Sequence, residues 1–83
     1  DTVTLVLPVT EAQVLEAAQR LRLWPLLDGY RGRPRADMQA VAAMAVRLGA
    51  LMLADEHLEE IEINPVLVRQ NGAVAVDALI RRV

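Results

Sequence analysis

The sequence predicts a two-layer α+β fold of the order β-α-α-β-β, with two helices on one face of an antiparallel sheet. Three observations predict it. Residues 3–7 form a β-branched and aliphatic run, two later stretches carry apolar residues at helical spacing, and two alternating stretches meet at Asn71-Gly72. The chain has 83 residues, which is enough for one small domain.

Two helices are predicted between residues 10 and 54. Thr10 and Gln13 have the spacing of a capping box. We expect the helix that they begin to end before Pro25, because the residue that precedes a proline disfavours helical backbone. Asp37 is the predicted N-cap of the second helix, which runs to about Ala54. The segment between the helices, residues 26–36, contains glycine and proline and is predicted to be a loop.

Residues 58–79 are predicted to form two antiparallel strands. Asn71-Gly72 is a strong hairpin signal, because a two-residue type I′ turn needs positive φ at both central positions. In such a turn Gln70 pairs with Ala73, and the numbers of paired residues add up to 143 along the hairpin.

That register predicts a possible metal site. Asp77 would lie opposite Val66 and Asn64 opposite Leu79, so Asn64 and Asp77 would share a face with Cα atoms about 7–8 Å apart. A carboxylate and a carboxamide oxygen at that spacing can share one Mg²⁺. Glu62 would face the same side if the strand has no bulge. The same residues also suit a strand end and a solvated sheet edge, and the spacing leaves both interpretations open.

Composition excludes some classes of function. The chain has no Lys and a net charge of −2, which disfavours a nucleic-acid partner. It has no glycine-rich phosphate loop that ends in Lys, so any phosphate cradle must lie elsewhere. No apolar stretch reaches the roughly 18 residues of a membrane span. There is no Cys, and we expect a cytoplasmic protein.

Several motifs together resemble a known family. The segments EIEINPVLV and GAVAVDALI, with LLDGYRGRPRAD upstream, are similar to the end of the ATP-grasp domain in NDP-forming acyl-CoA synthetases. ADP-forming acetyl-CoA synthetase and, more distantly, the succinyl-CoA synthetase β subunit are relatives. The resemblance covers nearly the whole chain. It implies that residues 1–83 are the carboxyl-terminal subdomain of an ATP-grasp domain and a fragment of a larger ligase.

The resemblance also implies roles for individual residues. Asn64 and Asp77 match the ligands of nucleotide-bound Mg²⁺. Glu62 matches an acid near the phosphoryl-transfer region and is the candidate catalytic residue. Arg31 lies in the Arg-Gly motif and either braces the loop or contacts the cofactor. The implied cofactors are Mg²⁺ and ATP or ADP. The implied acid-thiol ligase reaction converts acyl-CoA, ADP and phosphate to acid, CoA and ATP through a phosphohistidine.

The implied partners are the rest of the ATP-grasp domain, the CoA-binding and phosphohistidine domains, nucleotide and acyl-CoA. We expect the 83-residue chain to be inactive alone. His57 is expected to be a surface residue, and Trp24 and Tyr30 to be packing residues. The alternative is a non-catalytic interaction or regulatory module, such as the acyl-CoA-synthetase-like region of a protein acetyltransferase.

Overall fold

The computed structural model describes residues 3–32, 34–63 and 65–82. Asn64, one of the two predicted metal ligands, lies outside the described residues, as does Arg33. The helices precede the strands, and a short 3₁₀ turn follows the second helix. The elements in chain order are α1 (Glu11–Ala18), α2 (Trp24–Leu27), the 3₁₀ turn (Tyr30–Gly32), α3 (Met38–Ala54), β1 (Leu58–Ile63), β2 (Val66–Val68), β3 (Ala73–Ala75) and β4 (Ala78–Arg82).

The first helix begins where the sequence predicts and ends earlier. The Gln13 N–H donates to the Thr10 hydroxyl oxygen (3.1 Å), and the Thr10 N–H donates to the Gln13 side-chain oxygen (2.9 Å), so the capping box is confirmed. α1 stops at Ala18, well before Pro25. Pro25 instead lies in the first turn of α2. A proline is tolerated there because the first helical N–H groups have no partner within the helix.

The long helix α3 has the predicted bounds. Asp37 is its N-cap, and the Ala40 N–H donates to Asp37 Oδ1 over 3.0 Å. An accepting oxygen at this position satisfies one of the amide groups that a helix start leaves unpaired. The helix ends at Ala54, as its apolar spacing predicts.

α1 and α3 pack together through small side chains. Ala17 and Ala18 of α1 and Ala42 of α3 are buried, and no large side chain among the described residues is fully buried. Alanine contacts let two helix backbones approach closely, but they bury little apolar surface. The described part of the chain therefore has a small core, and α3 also contacts β1 and β3.

The prediction of a strand at residues 3–7 is wrong, because the described residues 3–9 form no strand. Their apolar side chains instead line a groove with α1 and α3. Leu7 lies over the buried Gly49 of α3, so closely that a Cβ built on this glycine would be 2.6 Å from Leu7 Cδ2. Packing on the helices, rather than pairing with a strand, half-buries Val3, Leu7 and Val9, whereas Leu5 and Val6 stay exposed.

The four strands form one long interrupted hairpin. β1 pairs with β4 and β2 pairs with β3, both antiparallel, as two separate ladders. From the pair of Glu60 with Arg81 onward, paired residues add up to 141 in both ladders, as in Glu62 with Leu79 and Val66 with Ala75. The pair of Leu58 with Arg82, on the other side of a register shift, adds up to 140. Between the ladders the Val76 N–H donates to the Pro65 carbonyl (3.0 Å). The α+β class and the antiparallel pairing are confirmed, although the single predicted sheet is divided into two ladders.

The predicted register is wrong by two residues. Ala73 pairs with Val68 rather than Gln70, so the loop has four residues, and Asp77 is not opposite Val66. Among the described residues of this loop only Gly72 has positive φ (95°), whereas a type I′ turn needs two such residues. Contacts with the start of α3 explain the difference: the Gly72 N–H donates to Asp37 Oδ2 (2.7 Å).

β4 is exposed along its whole length, and its Leu79 and Ile80 side chains are more than half exposed. Its charged end is paired: Arg81 lies 3.4 Å from Glu59 and 3.1 Å from Glu60, where β1 has a register shift. In the part of the chain that the structure describes, no helix is long and apolar enough to cross a bilayer.

The two N-caps give a matched stability test. Asp37→Ala removes a helix cap of about 1 kcal/mol and a charge-assisted bond of about 1.5–3 kcal/mol, whereas Thr10→Ala removes only a cap of about 1 kcal/mol. We expect Asp37→Ala to lower the free energy of unfolding by at least twice as much, measured by chemical denaturation. Equal losses would show that the bond to Gly72 contributes nothing.

A second test addresses the contact of Leu7 with Gly49. Alanine favours a helix interior over glycine by about 1 kcal/mol, but in Gly49→Ala the new methyl must displace the Leu7 side chain. We expect Gly49→Ala to stabilise the Leu7→Ala variant more than the wild type, measured as a double-mutant cycle by thermal unfolding. An identical effect in both backgrounds would contradict the packing of Leu7 on this glycine.

Candidate metal site

Two of the predicted site residues meet on one face of the long hairpin. Glu62 of β1 and Asp77, immediately before β4, line one open concavity of about 370 Å³ together with Ala78 and Leu79. The register explains the meeting. Leu79 is the partner of Glu62, and Asp77 precedes it by two positions. A residue and the neighbour two positions from its partner share a face as a diagonal pair.

Both carboxylates are available to a ligand. Glu62 and Asp77 are exposed, and among the described residues neither takes part in an ion pair. Asp77 Oδ1 accepts a hydrogen bond from the Ala78 N–H (2.8 Å), which fixes one oxygen against the backbone. Asp77 Oδ2 accepts no hydrogen bond from the residues that the structure describes. A carboxylate held on one side is partly oriented before a ligand arrives, and less conformational freedom is lost on binding.

The chemistry of this pair suits a hard cation. Within residues 3–32, 34–63 and 65–82, no group of three or more His, Cys, Asp or Glu side chains is arranged to hold a metal ion. Two carboxylates alone do not exclude magnesium, because Mg²⁺ usually takes one or two carboxylates and fills the remaining positions with water and phosphate oxygens. The described residues can therefore supply part of a coordination shell, with Asn64 lying outside them.

Arg31 lies away from these acids, in the loop before α3. Its backbone is in the left-handed region (φ 54°, ψ 44°), between Gly29 and Gly32, which also have positive φ. The guanidinium carbon of Arg31 stands 5.2 Å from the centre of the Tyr30 ring. A left-handed backbone is unfavourable for a residue with a Cβ, and such residues are concentrated at functional sites. The structure brings Arg31 to neither Glu62 nor Asp77.

Trp24, Arg35 and His57 lie outside the concavity and have contacts of their own. Trp24 is half-buried and lines a separate open cleft of about 720 Å³ with Leu15 and Gln39, as expected of a packing residue. Arg35 pairs with Asp28 at 3.4 Å beside the same cleft. His57 is exposed, 3.9 Å from Glu56, in agreement with a surface role.

Asp37 has a second role that its position before α3 does not indicate. Besides capping the helix, its carboxylate accepts a hydrogen bond from the Gly72 N–H, 35 positions away. The Asp37 N–H donates to the Arg69 carbonyl (2.7 Å), so both ends of the hairpin loop bond to one residue. No local pattern signals a contact at such a separation. The one available sign is that the loop after residue 68 contains a glycine that can take positive φ.

Comparison with known proteins identifies the family. A family model described as an ATP-grasp domain matches residues 1–81. The chain is 36% identical over 73 residues to the beta subunit of an ADP-forming acetate–CoA ligase (I) from Pyrococcus furiosus, a match that covers 88% of this chain and 32% of the relative. It is 37% identical over 70 residues to a trans-feruloyl-CoA synthase from an unknown prokaryotic organism, covering 82% of this chain and 10% of that protein.

A solved structure gives the same result for the fold. The chain superimposes with a TM-score of 0.87 and 28% identity on the dinucleotide-forming acetyl-coenzyme A synthetase 1 of Candidatus Korarchaeum cryptofilum, solved with coenzyme A and Mg-AMPPCP. The match covers 94% of this chain and 37% of that one. The chain thus spans about a third or less of the relatives that it matches. Because the family model covers almost every residue, this chain belongs to the ATP-grasp domain family.

Proposed function

We propose that this chain is the carboxyl-terminal part of the nucleotide site of an ADP-forming acyl-CoA synthetase, an acid-thiol ligase. In this role Asp77 and Asn64 bind the Mg²⁺ of Mg-ATP or Mg-ADP, and Glu62 lies beside them near the transferred phosphoryl group. The observation that carries the proposal is the shared concavity of Glu62 and Asp77, in a chain similar to acetate–CoA ligases.

The role of Asn64 is supported by its neighbours in the sequence. Ile63, just before it, pairs with Ala78. Pro65, just after it, accepts a hydrogen bond from the Val76 N–H (3.0 Å). Both neighbours are thus joined to the residues that flank Asp77. A carboxamide oxygen beside a carboxylate adds a neutral hard ligand, which suits an ion whose charge is also balanced by phosphate oxygens.

The chemistry proposed for the site is electrostatic. Asp77 and Asn64 would hold the bound Mg²⁺, which would supply positive charge against the negative charge that develops during phosphoryl transfer. The task of Asp77 is to hold the ion on the hairpin face. Glu62, the partner of Leu79 and the diagonal neighbour of Asp77 on that face, adds negative charge to the same concavity and favours a cation there. The chain has no Lys, so the cationic groups that hold the phosphates must come from arginines or from other parts of the protein.

The remaining parts of the enzyme are proposed to cover the exposed apolar surface. Leu79 and Ile80 on β4 are 55% and 58% exposed. An apolar edge strand that is exposed to water favours association with another strand or surface. The relatives are subunits or parts of longer synthetases, so we propose that the rest of the ATP-grasp domain occupies this strand. The CoA-binding and phosphohistidine domains, acyl-CoA and nucleotide are the proposed further partners.

The proposal for Asp77 is tested in the complete protein. Asp77→Ala should abolish Mg²⁺-dependent formation of ATP from acyl-CoA, ADP and phosphate, because the ion loses its charged ligand from this chain. Asn64→Ala should lower the same activity severely. Glu56→Ala is the matched control, since its carboxylate is exposed but lies outside the concavity. Wild-type rates in both site variants would eliminate the metal assignment and favour a non-catalytic module.

Arg31 is proposed to contact an anionic group of the nucleotide or CoA, and its backbone gives a sharp test. Arg31→Gly should raise the free energy of unfolding by about 0.5–1 kcal/mol, because glycine adopts positive φ without strain. The same variant should raise the KM for nucleotide or CoA. Arg35→Gly is the control, and it should lower stability.

Loss of affinity in Arg31→Gly without a loss of stability assigns the side chain to ligand contact. If instead both KM values stay at the wild-type level, Arg31 only braces the loop.

A further inference from the structure

The concavity of Glu62 and Asp77 depends on the hairpin register. In the structure Leu79 is the partner of Glu62, which makes Asp77 its diagonal neighbour. In the register that a two-residue Asn-Gly turn favours, the partner of Glu62 is Arg81. Asp77 would then lie four positions from the partner of Glu62, which puts it on the order of 13 Å from Glu62. The two carboxylates share a concavity in one register and are separated in the other.

The apolar pattern of the strands does not choose between these registers. A slip of one residue moves every side chain of a strand to the other face of the sheet. These two registers differ by two residues, so each side chain lies on the same face in both. The ion pairs of β4, Arg81 with Glu59 and Glu60 and Arg82 with Asp55, join side chains that are about a third or more exposed to water. Ion pairs this accessible to solvent contribute little to stability. The choice therefore falls to the loop between β2 and β3.

Asp37 holds this loop in its four-residue form. Its N–H donates to the Arg69 carbonyl at 2.7 Å, and its Oδ2 accepts from the Gly72 N–H at 2.7 Å. The Arg69 N–H in turn donates to the Gly72 carbonyl at 3.0 Å. These bonds join the first and last residues of the loop to the start of α3. In a two-residue turn at Asn71-Gly72, Arg69 would pair with Val74 instead of bonding to Gly72. The bonds that join the loop to Asp37 would then be broken.

We propose that Asp37 is a positioning residue for the metal site, because it sets the register that brings Glu62 and Asp77 together. It acts at a distance, by holding the hairpin loop against the α3 N-terminus, and touches neither carboxylate. The consequence for ion binding rests on the proposed function, whereas the consequence for register does not. Removal of the Asp37–Gly72 bond allows the Asn-Gly preference to prevail.

The register test uses disulfide cross-links in the complete protein, since this chain has no Cys of its own. Val66→Cys with Ala75→Cys joins partners of the observed register, and Val68→Cys with Ala75→Cys joins partners of the alternative one. Each pair is made with Asp37 and with Asp37→Ser. Serine keeps a good N-cap oxygen for Ala40, but its single hydroxyl cannot also serve Gly72.

We expect the first cross-link to dominate with Asp37 and the second to rise at its expense with Asp37→Ser, measured by peptide mass mapping. In the proteins without the introduced cysteine pairs, Asp37→Ser should raise the dissociation constant for Mn²⁺ in the presence of ADP by about 10-fold, the lower end of the effect of removing a residue that orients a metal ligand. Thr10→Ala, which removes a helix cap far from the hairpin, should change neither quantity.

Each contrary outcome has one meaning. An unchanged cross-link pattern in Asp37→Ser overturns the inference, as does an equal change in Thr10→Ala, which would indicate general destabilisation. A changed pattern with unchanged Mn²⁺ affinity overturns the positioning role. If the wild type binds no Mn²⁺ with ADP, the proposed function fails, and the cross-links still decide whether Asp37 sets the register.

Discussion

The carboxylate of Asp37 joins the two halves of this small domain. One oxygen caps α3 at Ala40 and the other accepts from Gly72 in the hairpin loop, at 3.0 and 2.7 Å. A half-buried acceptor shared by two amide groups gives directional contacts, and apolar packing alone does not supply such direction. The helices and the hairpin are thereby connected through bonds that fix how the two strands pair.

This polar link matters more because the core is small. The buried residues Ala17, Ala18 and Ala42 bring helices close together but remove little apolar surface from water. On the other side, β4 exposes its apolar residues Leu79 and Ile80. These two features suit the proposed role as one part of a longer enzyme, and the chain spans about a third or less of the length of the relatives named above.

The sequence predicts the parts of the fold that local rules determine. The bounds of α3, the Thr10–Gln13 capping box and the antiparallel hairpin all follow from spacing and cap residues that lie within a few positions of each other. The conformation of residues 3–7 could not be predicted correctly, because a strand forms only beside another strand. Here Leu7 packs on α3 instead. The shared concavity of Glu62 and Asp77 was partly predictable, since strand parity puts both on one face, whereas their nearness required the register. Asp37 sets that register through its bond to Gly72, 35 positions away. No local sequence preference predicts a contact over that separation.

In the proposed site the hairpin holds a divalent ion at Asp77, beside Glu62. The most direct measurement is an anomalous difference map from crystals of the complete protein grown with Mn²⁺ and a non-hydrolysable ATP analogue. Our account predicts one peak about 2.0–2.2 Å from an Asp77 carboxylate oxygen and in contact with the phosphates. A nucleotide-bound peak that no oxygen of Asp77 approaches would contradict it.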